Sequence, residues 1–123
     1  MNKYLKTLVI MAFLFAAAPA DAEPVPQYDA KMLRLAEILG SLHYLRNLCG
    51  EKTSLWRDKM EELIKAENPT PTRRARLYAS FNDAYRAFSD NYHTCTKAAV
   101  DVDRRYIKEG TALSHELLNR YGN

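Results

Sequence analysis

Apolar side chains recur along this chain at steps of three and four residues through four separate stretches, with no sustained alternation at steps of two. Steps of three and four gather side chains on one face of an α-helix, whereas strict alternation would mark a strand. In the first stretch Met32, Leu35, Leu39, Leu42, Leu45 and Cys49 form one stripe, which predicts a helix from about Ala30 to Leu48. Asp29 precedes it as the expected N-cap, its carboxylate accepting from unpaired N–H groups of the first turn. Gly50 follows it, where a residue tolerant of positive φ ends a helix. The second helix is predicted from about Ser54 to Glu67, capped by Thr53 or Ser54, with Trp56, Met60, Leu63 and Ile64 as its stripe. Pro69 stops it by pushing the residue before it out of the helical region. The third opens with Thr70 as cap and Pro71 at the first helical position, where a missing N–H costs nothing. Its stripe, Tyr78, Phe81, Tyr85, Phe88 and Tyr92, is wholly aromatic. A fourth follows Cys95, capped by Thr94 or Thr96, and carries Ala99, Val102, Tyr106, Gly110, Leu113 and Leu117 to near Tyr121.

Four amphipathic helices with short connections predict an all-α fold, an up-down-up-down four-helix bundle over residues 29–123. The region before it reads differently. Lys3 and Lys6, an apolar run from Leu8 to Ala18 and the small residues Ala20-Asp21-Ala22 form the three parts of a secretory signal. The apolar run falls short of the roughly 20 residues a spanning helix needs, so residues 1–22 are expected to be a cleaved signal peptide. Pro24 and Pro26 make residues 23–28 an extended leader.

Export alters the meaning of the two cysteines, Cys49 and Cys95, because a disulfide persists in an oxidising compartment. In the predicted topology Cys49 ends the first helix and Cys95 joins the third to the fourth, so both fall at one end of the bundle. No C-x-x-C is present, as a thioredoxin-type redox site would require. Cleavage also lowers the basic residues from 18 to 16 and the acidic ones from 15 to 14, taking the net charge from +3 to +2. That balance is too weak for a nucleic-acid binder, and none is expected.

Several stretches together carry a resemblance: Leu39-Gly40-Ser41-Leu42-His43-Tyr44-Leu45-Arg46 leading to Cys49-Gly50, then Leu55-Trp56-Arg57, Arg73-Arg74-Ala75-Arg76-Leu77, Phe81-Asn82 with Tyr85-Arg86, Tyr92 to Cys95-Thr96, and Tyr106 with Glu109-Gly110. From about Tyr28 to Tyr121 the chain resembles an uncharacterised alphaproteobacterial family of small exported two-cysteine helical proteins, a domain of unknown function. The resemblance implies a Gram-negative periplasmic setting and a disulfide. It implies no activity.

The residues with chemistry of their own are few. A zinc site wants four ligands, and only His93 lies near a cysteine in sequence. Haem held by Met32 and His115 has Met32 on a stripe, but His115 lies about 200° round the helix from Leu113 and Leu117 and reads as solvated. No cofactor is expected. His43 and Glu109 are the acid–base groups a small enzyme acting on cell-wall material would use. Asp58, Glu61 and Glu62 sit on the outer face of the second helix, with Glu61 and Lys65 at ordinary surface-pair spacing. Two features stand out. Arg73, Arg74 and Arg76 crowd a helix N-terminus, where the macrodipole disfavours cations. They either pair with Glu62 and Glu67 or face an anionic envelope component or an envelope protein. Gly40 and Gly110 interrupt helices at a cost of about 1 kcal/mol each relative to alanine, which close helix contact or a large neighbouring ring would explain. The leading expectation is a non-enzymatic periplasmic module that binds or supports another envelope component. A small envelope enzyme is the alternative, and a haem or metal carrier the third.

Overall fold

A computed structural model describes residues 24–121 as four helices: α1 (Asp29–Leu48), α2 (Leu55–Glu67), α3 (Pro71–Asn91) and α4 (Lys97–Tyr121). No strand occurs among the described residues, and no helix there is long and apolar enough to cross a membrane. The expected signal peptide, residues 1–22, lies outside the described residues.

Chain direction alternates as an up-down-up-down bundle requires. Glu67 at the end of α2 meets Tyr28 just before α1, while Arg73 at the start of α3 meets Asp29 at the start of α1. On the other side Glu116, Glu109 and Asp103 of α4 pair in reverse order with Lys31, Arg34 and Arg46 of α1.

The packing departs from a square bundle. In a square, α1 and α3 lie across the diagonal; here they form the most extensive helix pair, and α1 also packs on α4 and α2. The remaining pairs meet only marginally at backbone level and are bridged by long side chains such as Tyr78 to Glu61 and Phe88 on Tyr106. The cause lies in α1 itself. Besides the expected stripe, it buries Ala36, Ile38, Gly40 and Ser41, so it is apolar or small on nearly every side. A helix apolar all round belongs in the interior. The Ser41 hydroxyl is satisfied by donating to the Glu37 carbonyl oxygen.

Gly40 is what lets α3 come so near: a Cβ there would stand 2.0 Å from the Phe81 carbonyl oxygen. This contact also corrects the expected aromatic seam. The residues that α3 buries are Arg73, Leu77, Phe81 and Ala84; Tyr78, Phe88 and Tyr92 are half-buried and Tyr85 is exposed. Beside so close a crossing there is room for one ring and small neighbours, so the tyrosines move to the margins. The Tyr78 hydroxyl donates to Glu61 there, and Tyr44 of α1 donates to the Tyr92 carbonyl oxygen.

The helix ends agree with the sequence except at the starts of α1 and α2; Ser54 is the N-cap of α2 but makes no side-chain capping bond, while Thr53 Oγ1 accepts from Leu55 N. Gly50 has φ 99°, Thr70 Oγ1 accepts from Arg73 N and Thr96 Oγ1 accepts from Ala99 N. Asp29, however, is the first residue of α1 rather than its cap, and its carboxylate accepts from Arg73 Nε at 3.0 Å. At the opposite end Cys49 and Cys95 form the disulfide, with α-carbons 5.0 Å apart.

Candidate functional site

The three arginines do not share a surface. Arg73 is 5% exposed and lies between Asp29 and Glu67, with Nε on Asp29 and Nη2 on Glu67 at 2.9 Å. Burial alone would lower its pKa, but the hydrogen bonds to Glu67 and Asp29 outweigh that and the net shift is upward. Tyr28 donates to the same Glu67 carboxylate, which closes the cluster over the start of α1. Of the two partners expected from sequence, Glu67 is present and Glu62 is not. Arg74 and Arg76 are exposed, Arg74 donating to the Pro69 carbonyl oxygen.

The two acid–base candidates are kept apart. His43 of α1 lies among Phe81 and Tyr85 of α3, ring centroids 5.9 and 5.5 Å away, with Arg57 of α2 stacked over Phe81. Its Nδ1 is buried and has no hydrogen-bond partner among the described residues. Burial first, then the Arg57 charge, lowers its pKa against a weaker opposing effect of Asp58, which favours the neutral ring. Glu109 of α4 instead accepts two hydrogen bonds from Arg34, at 2.7 and 3.2 Å. Met32 and His115 are likewise divided: Met32 is in the core beside Arg73, and His115 is exposed on α4. Among the described residues, no group of three or more His, Cys, Asp or Glu side chains is arranged to hold a metal.

A concave site follows from the way α1 is surrounded. Because α2 and α4 flank α1 without packing on each other, a cleft of about 300 Å³ opens between them. Its floor is Leu35, Ile38, Leu39 and Leu42 of α1. Trp56 and Lys59 stand on the α2 side; Ile107, Gly110, Thr111, Ser114, His115 and Leu118 stand on the α4 side. Gly110 sets the spacing of that wall, since a Cβ there would come to 3.1 Å from Ile38 Cγ2.

The cleft is polar toward one end. Antiparallel register puts Ile107 near Leu42 and Trp56, and carries Ser114 and His115 toward Leu35. Lys59 lies at that second end too, where it shares a smaller adjoining hollow with Leu35, Leu39, Glu62 and Ser114. Of the residues singled out from sequence, Gly110 and His115 line the cleft, whereas Gly40, His43, Glu109 and the arginines do not. Lys59, Ile107, Thr111, Ser114 and Leu118 were not legible as site residues. A faint signal was available: Ile107, Thr111, Ser114 and Leu118 follow one another at steps of four, three and four, a second row beside the main α4 stripe.

The helical region just described is almost coextensive with a known family. The family model described as "Protein of unknown function (DUF2385)" matches residues 27–121. The chain belongs to that family. The match begins one residue before Tyr28, whose hydroxyl ties the start of α1 to Glu67, and ends with the last residue of α4. No curated protein and no solved structure matches the chain.

Proposed function

We propose that this protein is an exported, non-catalytic binding module of the cell envelope, and that the cleft between α2 and α4 is its binding site. The observation that carries the reading is the cleft itself: an apolar floor, the Trp56 indole with a buried Nε1 that has no hydrogen-bond partner among the described residues toward one end, and hydroxyl, imidazole and ammonium groups toward the other. Small-molecule sites are typically built this way, mostly apolar with a few placed polar groups, and about 300 Å³ is at the small end of their range. The two acid–base candidates singled out from sequence lie outside the cleft, His43 among aromatic rings and Glu109 on Arg34.

An environment-sensitive apolar dye tests this. Fluorescence should rise on mixing with the folded protein and fall back in Ser114→Phe, which fills the cleft from its half-buried wall without touching the core. A folded protein that leaves the dye unbound, or binds it equally in the variant, removes the reading. The export step is checked separately by the mature N-terminus, expected at Glu23.

Contact with an anionic envelope component through Arg74 and Arg76 is a second reading, favoured by their shared exposure beside the start of α3. Replacing both with alanine should then abolish salt-sensitive retention on anionic vesicles. Unchanged retention would discard it.

A further inference from the structure

We infer that the outer face of α4 docks on a bilayer surface rich in anionic phospholipid, through Lys97, Arg104, Arg105 and Lys108. The inference is independent of the cleft, and the contact differs from one made through Arg74 and Arg76.

The fold sorts the charges of α4. By sequence the helix is nearly balanced, with five basic and four acidic residues. In the structure three of the four carboxylates turn toward α1, Asp103 to Arg46, Glu109 to Arg34 and Glu116 to Lys31. The cations go the other way. At about 100° per residue, Lys97, Arg104, Arg105 and Lys108 fall within an arc of about 100°, opposite the Ala99, Val102 and Gly110 positions that pack on α1. All four are exposed, and none has an ion-pair partner among the described residues. Asp101 is exposed within the same arc, so the row sets four cations against one carboxylate. On α2, by contrast, Lys59 and Lys65 stand among Asp58, Glu61 and Glu62. Lys97 is also the first residue of α4, with no acidic residue in that turn, where the helix dipole disfavours a cation. A negatively charged partner offsets that cost.

Shape selects the kind of anion. Among the helices α4 packs substantially only on α1, so its outer side is a ridge rather than a groove. A straight ridge meets a plane along its length, and Lys97 to Lys108 spans about 16 Å. An acidic protein segment would be held instead around buried apolar or aromatic anchors. The large apolar side chains that are exposed, Val25, Leu55, Tyr85 and Leu118, lie outside this row. For the same reason the contact is electrostatic, at the level of the headgroups, and not an insertion, which would need bulky apolar residues beside the cations. The disulfide at Cys95, two residues before Lys97, ties the start of the row to the end of α1, so the cations are carried on a fixed element.

Sedimentation of the mature protein with phosphatidylcholine vesicles, with and without phosphatidylglycerol, tests the inference. The protein should bind only the anionic vesicles and be released by added salt. A basic residue at such a surface is worth about fivefold in partitioning, so Arg104→Gln with Arg105→Gln should weaken binding about twenty-five-fold. Asp101→Asn should strengthen it about fivefold, a gain that misfolding cannot give. Arg74→Ala with Arg76→Ala should leave binding in place. No binding to anionic vesicles, or undiminished binding when Arg104 and Arg105 are replaced, overturns the inference. Binding lost on replacing Arg74 and Arg76 instead moves the contact to the start of α3 and overturns it too. Tighter association with polyglutamate or duplex DNA than with the vesicles would make an acidic protein or a nucleic acid the partner and overturn the membrane assignment. Dye binding in the cleft is read separately and stands whichever way the vesicle result falls.

Discussion

Gly40 of α1 lies directly against the backbone of Phe81 in α3, so near that a Cβ on Gly40 would stand 2.0 Å from the Phe81 carbonyl oxygen and 2.8 Å from its carbon. Backbone cannot rotate out of the way, so Gly40→Ala must separate the two most closely packed helices. The roughly 1 kcal/mol of helix propensity gained is smaller than the overpacking cost, and a net loss of about 2 kcal/mol is expected. Gly110→Ala provides the contrast. Its Cβ would meet a side-chain methyl of Ile38 at 3.1 Å, beside a cleft that gives room to yield, so stability should change by less than about 1 kcal/mol. Urea denaturation of both variants checks the difference.

Arg73 is expected to behave unlike its neighbours. Removing its guanidinium leaves the buried Asp29 and the half-buried Glu67 carboxylates without that counter-charge, so Arg73→Met should cost about 3 kcal/mol. Arg74→Ala and Arg76→Ala, on the exposed side, should each stay within about 0.5 kcal/mol. Thermal unfolding of the three single variants would show one large shift and two small ones; three equal shifts would contradict the buried pairing.

The disulfide should contribute much of the stability. It links residues 46 apart in sequence, and in the chain-entropy model a loop of that size is worth about 4 kcal/mol. Both cysteines are exposed, so a mild reductant should reach the bond in the folded protein. The reduced chain, or the double Cys→Ser variant, should unfold at a markedly lower urea concentration. An unchanged midpoint would show that ion pairs and packing alone hold the end of α1 to the α3–α4 connection.

His43 makes stability depend on pH. Burial and the Arg57 charge lower its folded-state pKa below the ordinary value of 6.5, so the unfolded chain binds a proton more readily. Its contribution is fully present above about pH 6.5 and is lost as pH falls through the lower folded value. His43→Phe should flatten stability across that window. A pH profile identical in the variant would place the acid sensitivity elsewhere, for example at Glu116, whose carboxyl is lowered chiefly by its hydrogen bond from Lys31 and loses that stabilisation below the usual glutamate range.

The four helices were legible because each signal is local. Thr70 and Pro71 at the start of α3, Gly50 after α1 and Pro69 after α2 act on the backbone within a turn of themselves, so neighbours along the chain suffice to read them. Asp29 was misread as a cap for the complementary reason: its carboxylate is claimed by Arg73, which is distant in sequence and adjacent only in the fold. The aromatic row of α3 failed similarly. Periodicity marks which residues share a face, but the Gly40–Phe81 contact decides which side of that face is buried.

The pattern of apolar steps, the capping residues and the two cysteines were enough to determine an all-helical chain of four segments in alternating directions, because those features set backbone conformation and pairing one segment at a time. Tertiary structure alone decided that α1 sits among the other three, that Arg73 lies inside while Arg74 and Arg76 lie outside, and that a cleft opens between α2 and α4. The physical reason is that an interhelical gap belongs to no single segment: its width is set where Gly110 meets Ile38 and its floor where α1 passes beneath two helices that do not pack on each other.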